Sequence, residues 1–420
     1  MRARAVSAAV LLSIAVGKAS LADPLNSSDR PVDAGASGER GPHNEFNLVP
    51  VGGGTTDIGI GGGYFLGFDA VAPGKAPYVW NLESAGFITF AERPGVGLVV
   101  PYQDAYVALT VPRLLVPTLE FMLRAEYSWE TTLGYYGLGD ASLSSIPAGA
   151  TNRYFEYGRL HPELYLQLRC RIVDHVIART GVRYIRNWLQ IASNSKLQED
   201  LSAGSPEVKS LLGSTGTSNV ALFDYGLQFD NRDSMVSAHS GMFDALDVQV
   251  SPGNTSWAPY RYIETTVDMR LFVPIWAPRI ILAGRLVGDL LYGEPPFYEL
   301  ARFEDTYAIG GLNGVRGVPA QRYYGKVKVL GNLELRTELA TFHALGKPVT
   351  FGVTAFLDGG RVWADTSIHP ELDGSGAGLK YGAGGGLRFQ SGSAFVLRAD
   401  VAWSPDATPI AGYVAAGQMF

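Results

Sequence analysis

The sequence predicts an all-β chain: a sixteen-stranded antiparallel transmembrane β-barrel with one long loop folded into its lumen. Three observations carry that expectation. Composition is the first, because 51 Gly, 24 Pro, 19 Phe, 21 Tyr and 7 Trp in 420 residues, with only 18% charged, are unusual for soluble mixed domains. Hydropathy is the second. Its mean is only +0.07, and past the N-terminus no run approaches the ~20 apolar residues of a spanning helix, which excludes helical transporters and channels. The third is a period of two held over segments of ten or more residues, the length of a strand that crosses a bilayer at a tilt. A soluble sandwich also alternates, but in shorter segments and with its charge facing outward.

The elements follow in order. Arg2 and Arg4 precede an apolar run from Ala5 to Val16, and Ser20-Leu21-Ala22 places small residues where a signal peptidase reads. Residues 1–22 are therefore expected to be a signal peptide cleaved before Asp23. Removing it takes away Arg2, Arg4 and Lys18 and leaves 31 basic against 40 acidic residues, a net −9, which disfavours nucleic acid as a partner. Residues 23–45 are rich in Pro, Gly, Ser and charge and nearly without large apolar side chains; such a stretch cannot offset the entropy of folding and is expected to be a flexible periplasmic leader.

Residues 46–420 are expected to be the outer-membrane barrel. Sixteen alternating segments begin near Phe46, Asp57, Tyr78, Tyr102, Thr118, Asn152, His175, Asn219, Gly241, Tyr260, Arg279, Tyr323, Thr350, Leu379, Ala394 and Gly412. An even number suits a bacterial barrel. Between Tyr324 and Leu339, for example, Lys328, Asn332, Glu334 and Arg336 share one parity, while Val329, Leu333 and Leu335 share the other. Likewise Glu264, Thr266, Asp268 and Arg270 alternate with Ile263, Val267, Met269 and Leu271. Joins at Ala277-Pro278 and Leu345 to Pro348 are tight, whereas 131–150, 194–218, 293–322 and 361–378 are long. In outer-membrane barrels the tight turns face the periplasm.

The join after the eleventh segment reads Gly310-Gly311-Leu312-Asn313-Gly314-Val315-Arg316-Gly317, and the thirteenth segment contains Phe356-Leu357-Asp358-Gly359-Gly360. This pair resembles the BamA/TamA family of outer-membrane barrels, the bacterial surface antigen superfamily, in which a Val-Arg-Gly-aromatic loop enters the lumen and meets an F-x-D-x-G strand. Asn332-Leu333-Glu334-Leu335-Arg336, Phe229-Asp230-Asn231-Arg232-Asp233, Tyr136-Gly137-Leu138-Gly139-Asp140 and the closing Gly417-Gln418-Met419-Phe420 extend the likeness. Val318 stands where the family has an aromatic, and the leader is too short for one of the POTRA domains that members commonly carry.

The resemblance implies a barrel that assists insertion or translocation of polypeptides at the outer membrane. Its surroundings would be outer-membrane lipid, its clients unfolded outer-membrane or exported polypeptides, and client recognition would come from a separate periplasmic partner protein. A passive diffusion channel or structural barrel is the alternative. Phe420 is expected to serve barrel closure and the C-terminal assembly signal, although Gln418 replaces a preferred hydrophobic residue.

A lumen lock follows from physics as well. A Gly-flanked arginine enters a barrel only if its guanidinium finds acceptors, since an unpaired buried charge costs several kcal/mol. Glu334 and Asp358 lie at inward parity on neighbouring segments, and the planar fork of Arg316, followed by Gly317, suits two carboxylates. The other reading of Arg316 is a solvated loop residue.

No catalytic site, metal or cofactor is expected. The Gly-rich runs at 59–63 and 382–386 lack the Lys-Ser/Thr of a phosphate loop and fit wall bends or close strand approach. No Gly-x-Ser-x-Gly elbow occurs, the six histidines lack metal spacing, and the lone Cys170 excludes a disulfide framework and a thiolate metal cluster.

Overall fold

Each of the sixteen alternating segments forms a strand, and sequence neighbours pair antiparallel into a closed ring in this computed structural model. It describes residues 41–420 apart from 76, 94, 214–217, 254, 256, 277–278, 304–306, 345–346, 392–394 and 407–409. The expected signal peptide, residues 23–40 of the expected leader, and the turn residues 277–278 and 345–346 lie outside the described residues.

The wall strands are β1 (His43–Thr55), β2 (Gly59–Val71), β3 (Trp80–Arg93), β4 (Tyr102–Val111), β5 (Leu119–Gly134), β6 (Glu156–Leu160 and Glu163–Val173), β7 (Val176–Ile191) and β8 (Ser218–Asp230). They continue as β9 (Gly241–Pro252), β10 (Arg261–Trp276), β11 (Ile280–Gly293), β12 (Val327–Ala344), β13 (Lys347–Trp363), β14 (Lys380–Ser391), β15 (Phe395–Trp403) and β16 (Ala411–Ala416). Several boundaries differ from expectation by three or four residues, among them β12, which starts at Val327 rather than Tyr323, and β13, which starts at Lys347 rather than Thr350. β1 starts at His43, inside the expected leader, because β2 runs to Val71 and offers backbone partners as far as His43. β6 starts at Glu156 rather than Asn152 and is interrupted at His161-Pro162, where proline supplies no amide to the ladder.

Parity decides what each face meets. Leu333 and Leu335 on β12, Ile263 and Leu271 on β10 and Leu357 on β13 point outward and are exposed, while Asn332, Glu334, Arg336, Glu264, Asp268 and Asp358 point into the barrel and are buried. The apolar face is thus the outer one, the arrangement a lipid environment requires. Joins from odd to even strands gather at one end and include 135–155, 192–217, 294–326 and 364–379; joins from even to odd strands, at the other end, are ten residues or shorter.

The long-loop end is capped by its own core. Residues 194–218, expected as plain loop, contain α1 (Lys196–Ala203) and α2 (Pro206–Leu212), whose first turns are closed by the Ser195 and Ser205 hydroxyls accepting from the amides of Gln198 and Val208. Leu197 and Leu212 pack with Tyr135, Leu138, Phe297, Leu300 and Tyr324 from two other connections. Gly137 and Gly139 in the Tyr136–Asp140 motif have positive φ, and a Cβ on Gly139 would collide with the Leu372 carbonyl.

Candidate functional site

The long connection between β11 and β12 dips into the lumen and buries Arg316 there. The strand register prepares its socket. Asn332 of β12 lies opposite Asp358 of β13, and Glu334 opposite Phe356; Asp358 and Phe356 in turn face Gly382 and Gly384 of β14. Gly386 faces Asp400 of β15, which faces Tyr413 of β16. Alternate residues of five consecutive strands therefore meet at one patch of inner wall.

Arg316 is fully buried there. Its Nε and Nη2 donate to the two oxygens of Asp358 at 2.8 and 3.0 Å, and its backbone amide donates to Asp358 Oδ2 at 3.1 Å. Nη1 reaches Glu334 Oε1 at 2.6 Å and Asp400 Oδ2 at 3.2 Å. The guanidinium plane lies over the Phe356 ring, 3.4 Å from its centroid, a contact that favours arginine over lysine. Asn332 Nδ2 fixes Asp358 Oδ1 at 2.9 Å and the Gly314 carbonyl at 3.0 Å. Arg285 and Arg398 hold the loop from its other side, donating to the Asn313 carbonyl and side-chain oxygens.

The glycines admit this loop. A Cβ on Gly382 would collide with the Arg316 carbonyl, and one on Gly384 with Phe356 and the Val401 carbonyl. Gly317 has φ +98°, and its amide donates to the Tyr413 hydroxyl at 2.9 Å. Val318 is buried with Ile309, Val315, Phe303, Leu330 and Val362.

Four guanidiniums, those of Arg316, Arg336, Arg388 and Arg398, surround the carboxylates of Glu334, Asp358 and Asp400. In so dry a setting the pairing is obligatory, because removing one partner strands another.

A second anchor holds the same loop nearer the cap. Arg159 of β6 donates to Glu299 Oε1 at 3.1 Å and to Asn187 Oδ1 at 2.8 Å, with its plane over Tyr298.

The ring closes weakly. Among the described residues β1 and β16 share two register pairs, Gly54 with Val414 and Thr55 with Tyr413, continued by one bond from the Thr56 amide to the Gly412 carbonyl. β1 pairs with β2 over thirteen positions. Phe46 and Leu48, on the free stretch of β1, are largely exposed.

Compared with known protein families, residues 152–410 match the Omp85 superfamily domain. The chain belongs to the Omp85 superfamily. Its fold is similar to BamA from Haemophilus ducreyi lacking POTRA domains 1–3, with a TM-score of 0.60 at 13% identity over 89% of this chain and 70% of that one. It is also similar to CdiB from Escherichia coli, with a TM-score of 0.56 at 13% identity over 91% and 64%. CdiB from Acinetobacter baumannii gives 0.50 at 13% identity over 89% and 59%. Compared with curated proteins, the sequence gives no match.

In this Omp85 barrel the structure brings Arg316, Gly317, Glu334 and Asp358 together. Phe420 stands elsewhere. The seam pairs through Tyr413 and Val414, whereas Phe420 lies inside the barrel with Ala238, Phe272, Ala283 and Met419, because Gly417 turns the chain at φ +81°. Sequence reasoning missed Asp400 and Tyr413 as partners of the loop. The inward parity of Asp400 was readable; that ring closure brings β15 and β16 to the loop was not.

Proposed function

We propose that this barrel resides in the bacterial outer membrane and helps polypeptide enter or cross it at the seam between β1 and β16. Membership in the Omp85 superfamily, with BamA and CdiB as structural neighbours, supports outer-membrane protein insertion or translocation in general. The observation that carries the finer reading is the seam itself. Among the described residues two pairs close it where neighbouring strands share many, and most of β1 pairs on one side only, the template a sheet edge offers another strand. Pro50 and Gly52–Gly54 weaken β1 as a partner for β16. The packed cap across the long-loop end speaks against a passive diffusion channel. Clients are unfolded outer-membrane or exported polypeptides, a separate periplasmic protein delivers them, and the barrel performs no catalysis.

Depletion followed by quantitative surface and outer-membrane proteomics tests this. Loss of a particular set of outer-membrane or exported proteins is the expected result. An unchanged profile with altered small-solute permeability would overturn the proposal in favour of a diffusion channel.

A further inference from the structure

At the short-turn end, β4 and β5 are joined by Pro112-Arg113-Leu114-Leu115-Val116-Pro117-Thr118. Three backbone bonds brace this turn. The Leu114 amide donates to the Leu119 carbonyl at 2.7 Å, the Val116 amide to the Leu114 carbonyl at 2.7 Å, and the Leu119 amide to the Val116 carbonyl at 3.2 Å. Prolines near both ends fix their own φ, and Arg113 and Leu115 are held at φ +58° and +64°, a left-handed conformation that is strained in any residue with a Cβ.

No packing among the described residues accounts for that strain, because Leu115 is 91% exposed. Val116 beside it is 47% exposed, and the β6–β7 turn adds Ile172 at 58% and Val173 at 59%. The Arg171 amide donates to the Thr118 carbonyl at 2.9 Å and joins the two turns into one apolar patch.

The patch lies past the bilayer boundary. Asn81 of β3 pairs with Thr110 of β4, which brings Trp80 level with Val111, where β4 ends. Trp80 shares its parity with the exposed Leu82 and stacks on Phe68 at 5.6 Å, an aromatic pair of the kind that marks the membrane–water interface. Residues 112–118 lie beyond that level. The ionised side chains of the neighbouring segments 72–79, 112–118 and 171–175 are Lys75, Arg113, Arg171 and Asp174, all at least half-exposed. Three bases to one acid stand out in a chain with 40 acids to 34 bases.

We propose that the β4–β5 and β6–β7 turns form a docking knob for a periplasmic protein whose matching surface is an apolar cleft edged by carboxylates. The knob rests on the orientation and on the separate delivering protein proposed above. Rigidity selects a protein over a lipid surface, to which apolar and basic side chains together also adhere. A fluid bilayer gains nothing from a leucine held at one position, whereas a shaped cleft gains affinity, because a braced knob loses little further freedom on binding.

Leu115→Gly removes the side chain and relieves the left-handed φ, so this variant should unfold no more readily than the wild type. In native cells, a photo-crosslinking residue at 115 or 172 should give an adduct with one and the same periplasmic protein, and one at Leu98, exposed at the opposite end, should not. With that protein purified, Leu115→Gly, and separately Arg113→Glu with Arg171→Glu, should raise its Kd for micelle-embedded barrel at least tenfold, and added salt should weaken wild-type binding. Adducts with unrelated proteins, a second barrel or lipid alone, no adduct at all, or a partner indifferent to both sets of substitutions would overturn the knob. A crosslinker at Leu48, on the free stretch of β1, separates the two readings. Missing client adducts at 48 with the partner adduct at 115 intact would overturn the seam reading alone, and the converse would overturn the knob alone.

Discussion

Arg316→Ala removes four side-chain hydrogen bonds, two to Asp358 and one each to Glu334 and Asp400, together with the stacking on Phe356. The two carboxylates it holds most closely are fully buried and lose their shared cation, a change of the kind that costs about 3–5 kcal/mol. Lysine should recover less than half, because one ammonium cannot make the fork to Asp358 and reach Glu334 together. The assay is urea unfolding of folded barrel in micelles, followed by the loss of heat-modifiable migration, for Arg316→Ala, Asp358→Asn and the double variant. Partners in one network are not additive, so the double variant should be less destabilised than the sum by roughly 0.5–3 kcal/mol. Strict additivity, or protease cleavage within 310–318 in the folded wild type, would refute the lock.

Other expectations follow from parity, topology and burial. Leu333→Arg or Leu335→Arg should lower folding stability by roughly 2–4 kcal/mol near the bilayer midplane, whereas Gln390→Arg, on the inner face of β14 and outside the lock, should be much milder; equal loss of insertion yield would remove the parity assignment. On intact cells, cysteines placed at the exposed Ser202, Glu207 or Ser367 should label and one near Lys347 should not, and the reverse pattern would invert the orientation. Burial pushes the Asp57 carboxyl up from 3.8 to about 6, against the opposing pull of the Ala320 amide and Arg93. A raised acid favours the protonated form in the folded state, so its contribution to stability is lost as pH rises from about 4 through 6. Asp57→Asn should flatten that part of the stability profile, and an identical slope in the variant would exclude Asp57 as its source.

The wall was legible because a lipid boundary enforces alternation: every charged residue of the β10 and β12 patterns turned inward as its parity required. Arg316, Glu334 and Asp358 were legible because a loop arginine inside a barrel must meet carboxylates. Asp400 and Tyr413 lie 84 and 96 positions from their loop partners, and nothing local signals that closure brings them there. The Gly382–Gly386 run was read as a bend or close approach; at Gly382 the approaching group is the loop itself, and at Gly384 and Gly386 it is the neighbouring wall residues Phe356, Val401 and Asp400. Helices α1 and α2 are two turns each, and what sustains them is burial of Leu197 and Leu212 in the cap, which no short stretch of sequence displays. Phe420 was read as serving barrel closure and the C-terminal signal; its place inside the barrel was not legible, because the lumenal contacts of Gln418 and Phe420 that accompany the turn at Gly417 come from distant strands.

The central claim is that the seam between β1 and β16 must part for the barrel to work. Thr56 and Gly412 face each other across it, joined by one backbone bond. In a Cys170→Ser background, Thr56→Cys with Gly412→Cys should form a disulfide that closes the seam without touching the lock. In cells relying on this variant alone, outer-membrane and surface proteomes should show the depletion profile while the bond is intact and return to the wild-type profile on reduction. A normal profile with the seam fully cross-linked would contradict the account.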